Sequence, residues 1–116
     1  MKEKTILMVC LGNICRSPLA EGILAAKCEN LPVVVDSAGT SAYHIGHQPD
    51  PRSQHIATLN GINIGDQRAR ELMCSDLETF DLIYAMDSSN YTNILKLAKN
   101  EDDKKKVRLI LNESNP

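Results

Sequence analysis

Apolar residues fall along this chain in short blocks of two kinds. Ile6-Leu7-Met8-Val9, Leu31-Pro32-Val33-Val34-Val35, Leu82-Ile83-Tyr84-Ala85-Met86 and Val107 to Leu111 are near-continuous runs of bulky side chains, the pattern of short strands buried on both faces. Between them the apolar positions spread to helical spacing. Ser17-Pro18-Leu19-Ala20-Glu21 opens a helix, with proline at its first position and an acid in its first turn. Asp50-Pro51 reads as the N-cap and first residue of a second helix that runs to Leu59 or Asn60 and is stopped by Gly61. Ser75-Asp76-Leu77-Glu78 fits the capping box of a short helix, and Tyr91, Ile94, Leu95 and Leu97 share one face of a helix within Ser88 to Ala98. Asn100 to Lys106 carries charges of both signs and reads as a solvated turn. Asp36-Ser37-Ala38-Gly39-Thr40-Ser41 is a cluster of turn residues at the end of the second strand.

Strands that alternate with helices imply right-handed crossovers and a parallel sheet covered on both faces, a three-layer α/β/α domain. In such a sheet ligands bind at the carboxyl ends of the strands. A length of 116 residues fits one domain, with no internal repeat or linker.

Composition narrows the classes of function. A net charge of −2 argues against a nucleic-acid or membrane surface, and no stretch has the length of a signal peptide or a membrane span, so a cytoplasmic protein is expected. Cys10, Cys15, Cys28 and Cys74 lack paired metal-ligand spacing, and His44, His47 and His55 form no zinc motif, so neither metal nor cofactor is expected. Cys28 and Cys74 read as packing residues. The histidines lie in a polar segment and read as solvated.

One segment stands out chemically. Cys10-Leu11-Gly12-Asn13-Ile14-Cys15-Arg16-Ser17 joins the first strand to the first helix, so backbone N–H groups of Leu11, Gly12, Asn13, Ile14 and Cys15 can converge on one point at the positive end of the helix dipole. That is a cradle for an oxyanion. The planar fork of Arg16 matches two phosphate oxygens, and its charge together with the helix dipole favours a thiolate at Cys10. Gly12 is expected to permit a turn forbidden to side chains, Asn13 to tolerate positive φ, and Ser17 to donate to the sulfur while capping the helix. Cys15 either packs under the loop or comes within disulfide reach of Cys10.

With these residues in place, the chain resembles the low-molecular-weight protein tyrosine phosphatases. The resemblance is carried by Val9 to Pro18 with Ala20-Glu21, and by Asp36 to Ser41, Pro49-Asp50-Pro51-Arg52, Gly61-Ile62 and Met86-Asp87. It implies a four-stranded parallel sheet of order 2-1-3-4 and metal-free hydrolysis of protein phosphotyrosine, with phosphate and other oxyanions as inhibitors. It further implies that Cys10 is the nucleophile, Arg16 binds the phosphoryl oxygens, and Ser17 assists the thiolate as leaving group. Asn13 and Ser37 match residues that hold the loop in shape, and Tyr43 matches an aromatic wall for the substrate ring.

Two departures accompany the resemblance. Gln67 stands where the family usually has a histidine in the loop-supporting network; an amide can replace its hydrogen bonds but not its positive charge. The family's general acid, an aspartate in an Asp-Pro-aromatic motif after the fourth strand, has no counterpart before Pro116, and Asp50-Pro51 matches a different landmark. The expectation is that residues 1–116 form such a domain, incomplete at the C-terminus, with apolar sheet surface left uncovered. The competing readings are an arsenate reductase of the same fold, which would need a resolving cysteine pair where only Cys74 stands, a phosphotransfer carrier, and a catalytically weak phosphotyrosine-binding fragment.

Overall fold

The computed structural model describes residues 3–111. The chain order is β1 (Lys4–Cys10), α1 (Arg16–Lys27), β2 (Val33–Gly39), α2 (Pro51–Leu59), α3 (Cys74–Thr79), β3 (Leu82–Ala85), α4 (Ser88–Leu95), α5 (Glu101–Lys105) and β4 (Val107–Leu109). All pairings are parallel and the sheet order is β2-β1-β3-β4, as expected. β1 is therefore central, and its carboxyl end lies between strands reached by crossovers in opposite directions. Such a switch point leaves a crevice above the sheet.

Alternation along β1 divides its side chains between the two faces. Leu7 and Val9, both fully buried, join Ile83 and Ala85 of β3, Leu77 of α3 and Ile94 of α4 in the main core. The opposite face packs less completely. There Ile6, Met8, Tyr84, Ala20, Ile23 and Leu24 line a largely apolar groove of about 420 Å³ between the sheet and α1.

Several element ends differ from the sequence reading. The second strand is displaced toward the C-terminus. Its pairing with β1 begins at Val33 and continues through Asp36-Ser37-Ala38-Gly39, because the whole of β1 up to Cys10 offers it ladder partners. These supposed turn residues are strand. The capping box is also displaced, since α3 begins after Met73, and the reciprocal bond is Met73 N–H to the Asp76 carboxylate at 2.8 Å. Ser75 lies inside the helix. Asn100 to Lys106 is not an open turn but holds the one-and-a-half-turn α5, because Asn100 caps it by accepting from the Asp103 N–H at 2.8 Å. β4 ends at Leu109, two residues before the expected Leu111. The expected helices at Pro51–Leu59 and within 88–98 are present, capped by Asp50 and Asp87, and Gly61 follows α2 in the left-handed region at φ 74°. The terminal Asn112 to Pro116, on which the expectation about the acid motif partly rests, lies outside the described residues.

Candidate active site

The loop between β1 and α1 curls at the carboxyl end of the central strand. Cys10 closes β1 with only 3% of its surface exposed, so its thiol is presented from a fixed backbone. Among the described residues two groups meet its sulfur. The backbone N–H of Asn13 points at Sγ from 3.3 Å, and Ser17 Oγ lies 3.0 Å away. Asn13 Nδ2 donates to the same Ser17 oxygen at 2.9 Å, which leaves the hydroxyl proton of Ser17 free to point at the sulfur. Asn13 and Ser17 are themselves buried, so these bonds compete little with water.

Asn13 holds the turn in two ways. It takes φ 58°, the left-handed region that asparagine tolerates better than most residues, and its Oδ1 accepts from the Arg70 N–H at 3.0 Å. Gly12 does not adopt positive φ. What it provides is room, since a Cβ there would lie 2.8 Å from Cδ2 of His44. Gly39 provides more. A Cβ at Gly39 would meet the Leu11 carbonyl oxygen at 2.7 Å and the Asn13 nitrogen at 3.1 Å, so the loop backbone lies directly against this strand end. Beyond Gly39 the chain continues along the loop, with Thr40 N–H donating to Cys10 and Ser41 N–H to Leu11, each at 2.9 Å.

Arg70 ties this support together. Its guanidinium bonds Asp36 of β2 and Asp76 of α3 at 3.1 to 3.3 Å, and its own carbonyl accepts from Gly39 N–H at 2.8 Å. Arg70 does not stand out in the sequence as part of the site, and Gly39 is marked there only as one residue of the Asp36 to Ser41 segment. Gly39 does carry a signal, a glycine at the end of a strand, but the partners of Arg70 are far apart along the chain.

α1 begins at Arg16, with Cys15 as its N-cap and no side-chain cap, so Ser17 and Pro18 sit inside the first turn rather than at its threshold. The loop consumes the residues up to Cys15, and Ser17 is turned inward to Cys10 instead of capping. The helix N-terminus still faces the loop. Arg16 is half-exposed and Nη1 donates to Asp87 at 2.9 Å. The Asn90 N–H, and then Arg16, hold the Asp87 carboxyl below the usual carboxylate range. Cys15 is a free thiol, as is Cys10. Burial, then the charges of Asp50 and Cys10, push the Cys15 thiol up. Asp50, held by the Arg52 side chain and N–H, is pulled down and stays ionised.

The other expected site residues fall into three places. Tyr43 stands almost fully exposed at the mouth of a cleft of about 280 Å³ whose walls include Cys10, Ile14, Arg16, Ser41 and His44. His44 was expected to be merely solvated, yet it lines this cleft. Ser37 does not bond the loop; it pairs with Met8, two residues below the strand end, and donates to Glu21 Oε1 on α1 at 2.6 Å. Burial raises the Glu21 carboxyl above the ordinary glutamate range. Gln67 likewise supports the helix rather than the loop itself, donating from Nε2 to the Pro18 carbonyl at 3.0 Å, while its Oε1 is buried without a protein partner among the described residues. Cys74 lies exposed at the first residue of α3 and is not on the cleft wall.

Comparison with known proteins agrees with this geometry. Residues 5–114 match the family model described as low molecular weight phosphotyrosine protein phosphatase. The low molecular weight phosphotyrosine protein phosphatase of Schizosaccharomyces pombe is 42% identical over 99% of this chain and 76% of its own length. A putative low molecular weight protein-tyrosine-phosphatase of Synechocystis is 48% identical over 78% of this chain and 59% of its own. The crystal structure of YfkJ from Bacillus subtilis superposes with a TM-score of 0.90 at 38% identity, covering 99% of this chain and 74% of that one. The chain thus spans roughly six-tenths to three-quarters of the length of these curated relatives. With the family match running through nearly the whole of this chain and the Cys10 loop in place at the switch point, this chain belongs to the low molecular weight phosphotyrosine protein phosphatase family.

Proposed function

We propose that this protein hydrolyses phosphotyrosine in proteins, and small aryl phosphates, through a phosphocysteine intermediate. The observation that carries the reading is the Cys10 sulfur at the floor of the cleft, met by Asn13 N–H and Ser17 Oγ, with Arg16 on the same wall. Cys10 attacks phosphorus in line; the S–P bond forms as the P–O bond to the aryl group breaks. The loop N–H groups and Arg16 hold the equatorial oxygens, where charge is held throughout the transfer. Among the described residues only Nη1 of Arg16 is engaged, by Asp87, which leaves its other N–H groups for phosphoryl oxygens. In the second step water attacks phosphorus and the S–P bond breaks, releasing inorganic phosphate. Ser17 donates to the departing thiolate. Tyr43 at the rim stacks beside the substrate ring and favours aryl over alkyl phosphates. Phosphate and other oxyanions compete for the same cradle.

The test is Cys10→Ser, which is expected to abolish phosphate release from phenyl phosphate while retaining oxyanion binding; undiminished turnover overturns the nucleophile. A second reading, a binding module with weak catalysis, is favoured by one observation: no carboxyl group lines the cleft among the described residues, and the nearby Asp50 and Asp87 are both held ionised. With no carboxylic acid among the described cleft residues to protonate the leaving group, turnover by residues 1–116 is expected to fall steeply as the leaving-group pKa rises. A flat dependence would identify a donor within these residues.

A further inference from the structure

Thr40 and Ser41 leave the end of β2 side by side, bonded to the backbone of Cys10 and Leu11. Both side-chain oxygens are buried, and neither has a protein partner among the described residues. The chain bends at these two residues, and their side chains part. Accordingly Ser41 lines the Cys10 cleft, while Thr40 lines a second cleft of about 330 Å³, and Leu11 forms a wall of both. A buried hydroxyl without a partner is costly, and on the Cys10 side the ligand of the proposed reaction would answer it. The twin hydroxyl on the other side of Leu11 asks for the same.

The chemistry of the second cleft is mixed. Leu72 and Leu97 give it an apolar floor, and Asn93, Lys96 and Glu71 bring an amide, an ammonium and a carboxylate to its edge. Among the described residues no hydrogen bond or ion pair engages the side chain of Lys96 or Glu71. A carboxylate entering here would meet Glu71, and an ammonium would meet Lys96. A carboxamide satisfies both, with its carbonyl toward Lys96 or Asn93 and its NH₂ toward Glu71 or Thr40. The methylene groups of a glutamine would lie on the leucines. We propose that this cleft is a second subsite, which takes a glutamine-type side chain close to the phosphotyrosine in the substrate polypeptide. The proposal rests on the Cys10 cleft being the phosphotyrosine site. Leu11, 52% exposed between the two clefts, is then the ridge the polypeptide crosses.

The experiment measures binding, so it does not depend on turnover. Phosphotyrosine and a set of phosphotyrosine peptides are titrated onto the Cys10→Ser protein; the peptides place one glutamine at either of the two positions on each side of phosphotyrosine in an alanine background. One glutamine position is expected to tighten binding about five- to tenfold over alanine, the scale of one or two hydrogen bonds, with glutamate or lysine there giving no such gain. Adding Lys96→Met or Thr40→Val is expected to erase that gain and leave the affinity for free phosphotyrosine unchanged. Absence of any preferred position, preference for glutamate, or a preference that survives both substitutions overturns the subsite. Loss of phenyl phosphate turnover by the unsubstituted protein would overturn the catalytic reading alone, and failure to bind phosphotyrosine would overturn both.

Discussion

The side of the Cys10 loop that faces the cleft and the side that faces the protein are built from different materials. Toward the cleft stand exposed groups with donors or faces to spare: half-exposed Arg16, held among the described residues by one ion pair, and Tyr43, almost fully exposed. Toward the protein stand Asn13, Ser17 and Gly39, all buried, and the guanidinium of Arg70 bonded to two carboxylates. The cleft side can lose a residue without losing the fold, because its groups contribute little packing. The protein side cannot, because each of its groups sets the path of the loop backbone. Chemistry and shape are therefore carried by separate residues, and substitutions should separate them.

Arg16→Lys should have the largest effect on turnover and nearly none on stability. Lysine keeps the charge but loses the planar fork, so phenyl phosphate turnover is expected to fall by about 10²- to 10³-fold, the scale of one lost transition-state donor. The unfolding free energy of this variant, from urea denaturation, should stay within about 0.5 kcal/mol of the parent, as for an exposed side chain. A large loss of stability would place Arg16 with the supporting residues instead. Gly39→Ala should do the reverse in order of cause. Its new methyl is driven against the Leu11 carbonyl, a backbone atom that cannot rotate away, so urea unfolding should show a loss of about 1–3 kcal/mol, with a fall in turnover as the loop shifts. Full activity at unchanged stability would mean that the loop is more yielding than its contacts imply.

The smallest expected effect belongs to Glu21→Gln, on the helix behind the loop. The folded-state pKa of Glu21 is raised by burial, so the folded state holds its proton more tightly than the unfolded chain does. Its contribution is fully present below the unfolded pKa and is lost as pH rises through the folded value. Glutamine keeps an acceptor for Ser37 and does not ionise. The variant should be slightly more stable than the parent near neutral pH, and the advantage should vanish below the ordinary glutamate range. Denaturant midpoints measured across that pH window check the sign, and an advantage that grows on acidification would contradict it.

The same division explains what the sequence disclosed. The cleft side was legible because a nucleophile, a cation and a helix start must follow one another within a few residues, so Cys10, Arg16 and Ser17 form a local pattern. The alternation of strand and helix was legible for a similar reason, since each block is set by neighbours. The supporting side draws on distant segments. Asn13 finds Arg70, and Arg70 finds Asp36, at separations of 57 and 34 residues, and nothing local in Arg68-Ala69-Arg70 marks the third residue over the first. Strand pairing overrode turn propensity at Asp36 to Gly39 because β1 supplied the ladder. Gly12 was assigned the wrong reason for being glycine, since the constraint is the ring of His44, 32 residues on, and not its own φ.

Because Asn13 is fastened to Arg70 and Leu11 lies against Gly39, the cradle exists only once β1, β2 and the segment before α3 have come together. An unfolded chain has the cysteine and the arginine but not the folded loop, so on the proposed reading an oxyanion would bind the native state alone. Occupancy is then a thermodynamic weight on the whole domain: at a hundred times its dissociation constant, a bound anion adds about 2.7 kcal/mol to the unfolding free energy. On that reading the melting temperature of this protein would be a gauge of the phosphate around it, and ligands could be ranked by heat alone, with no substrate turned over.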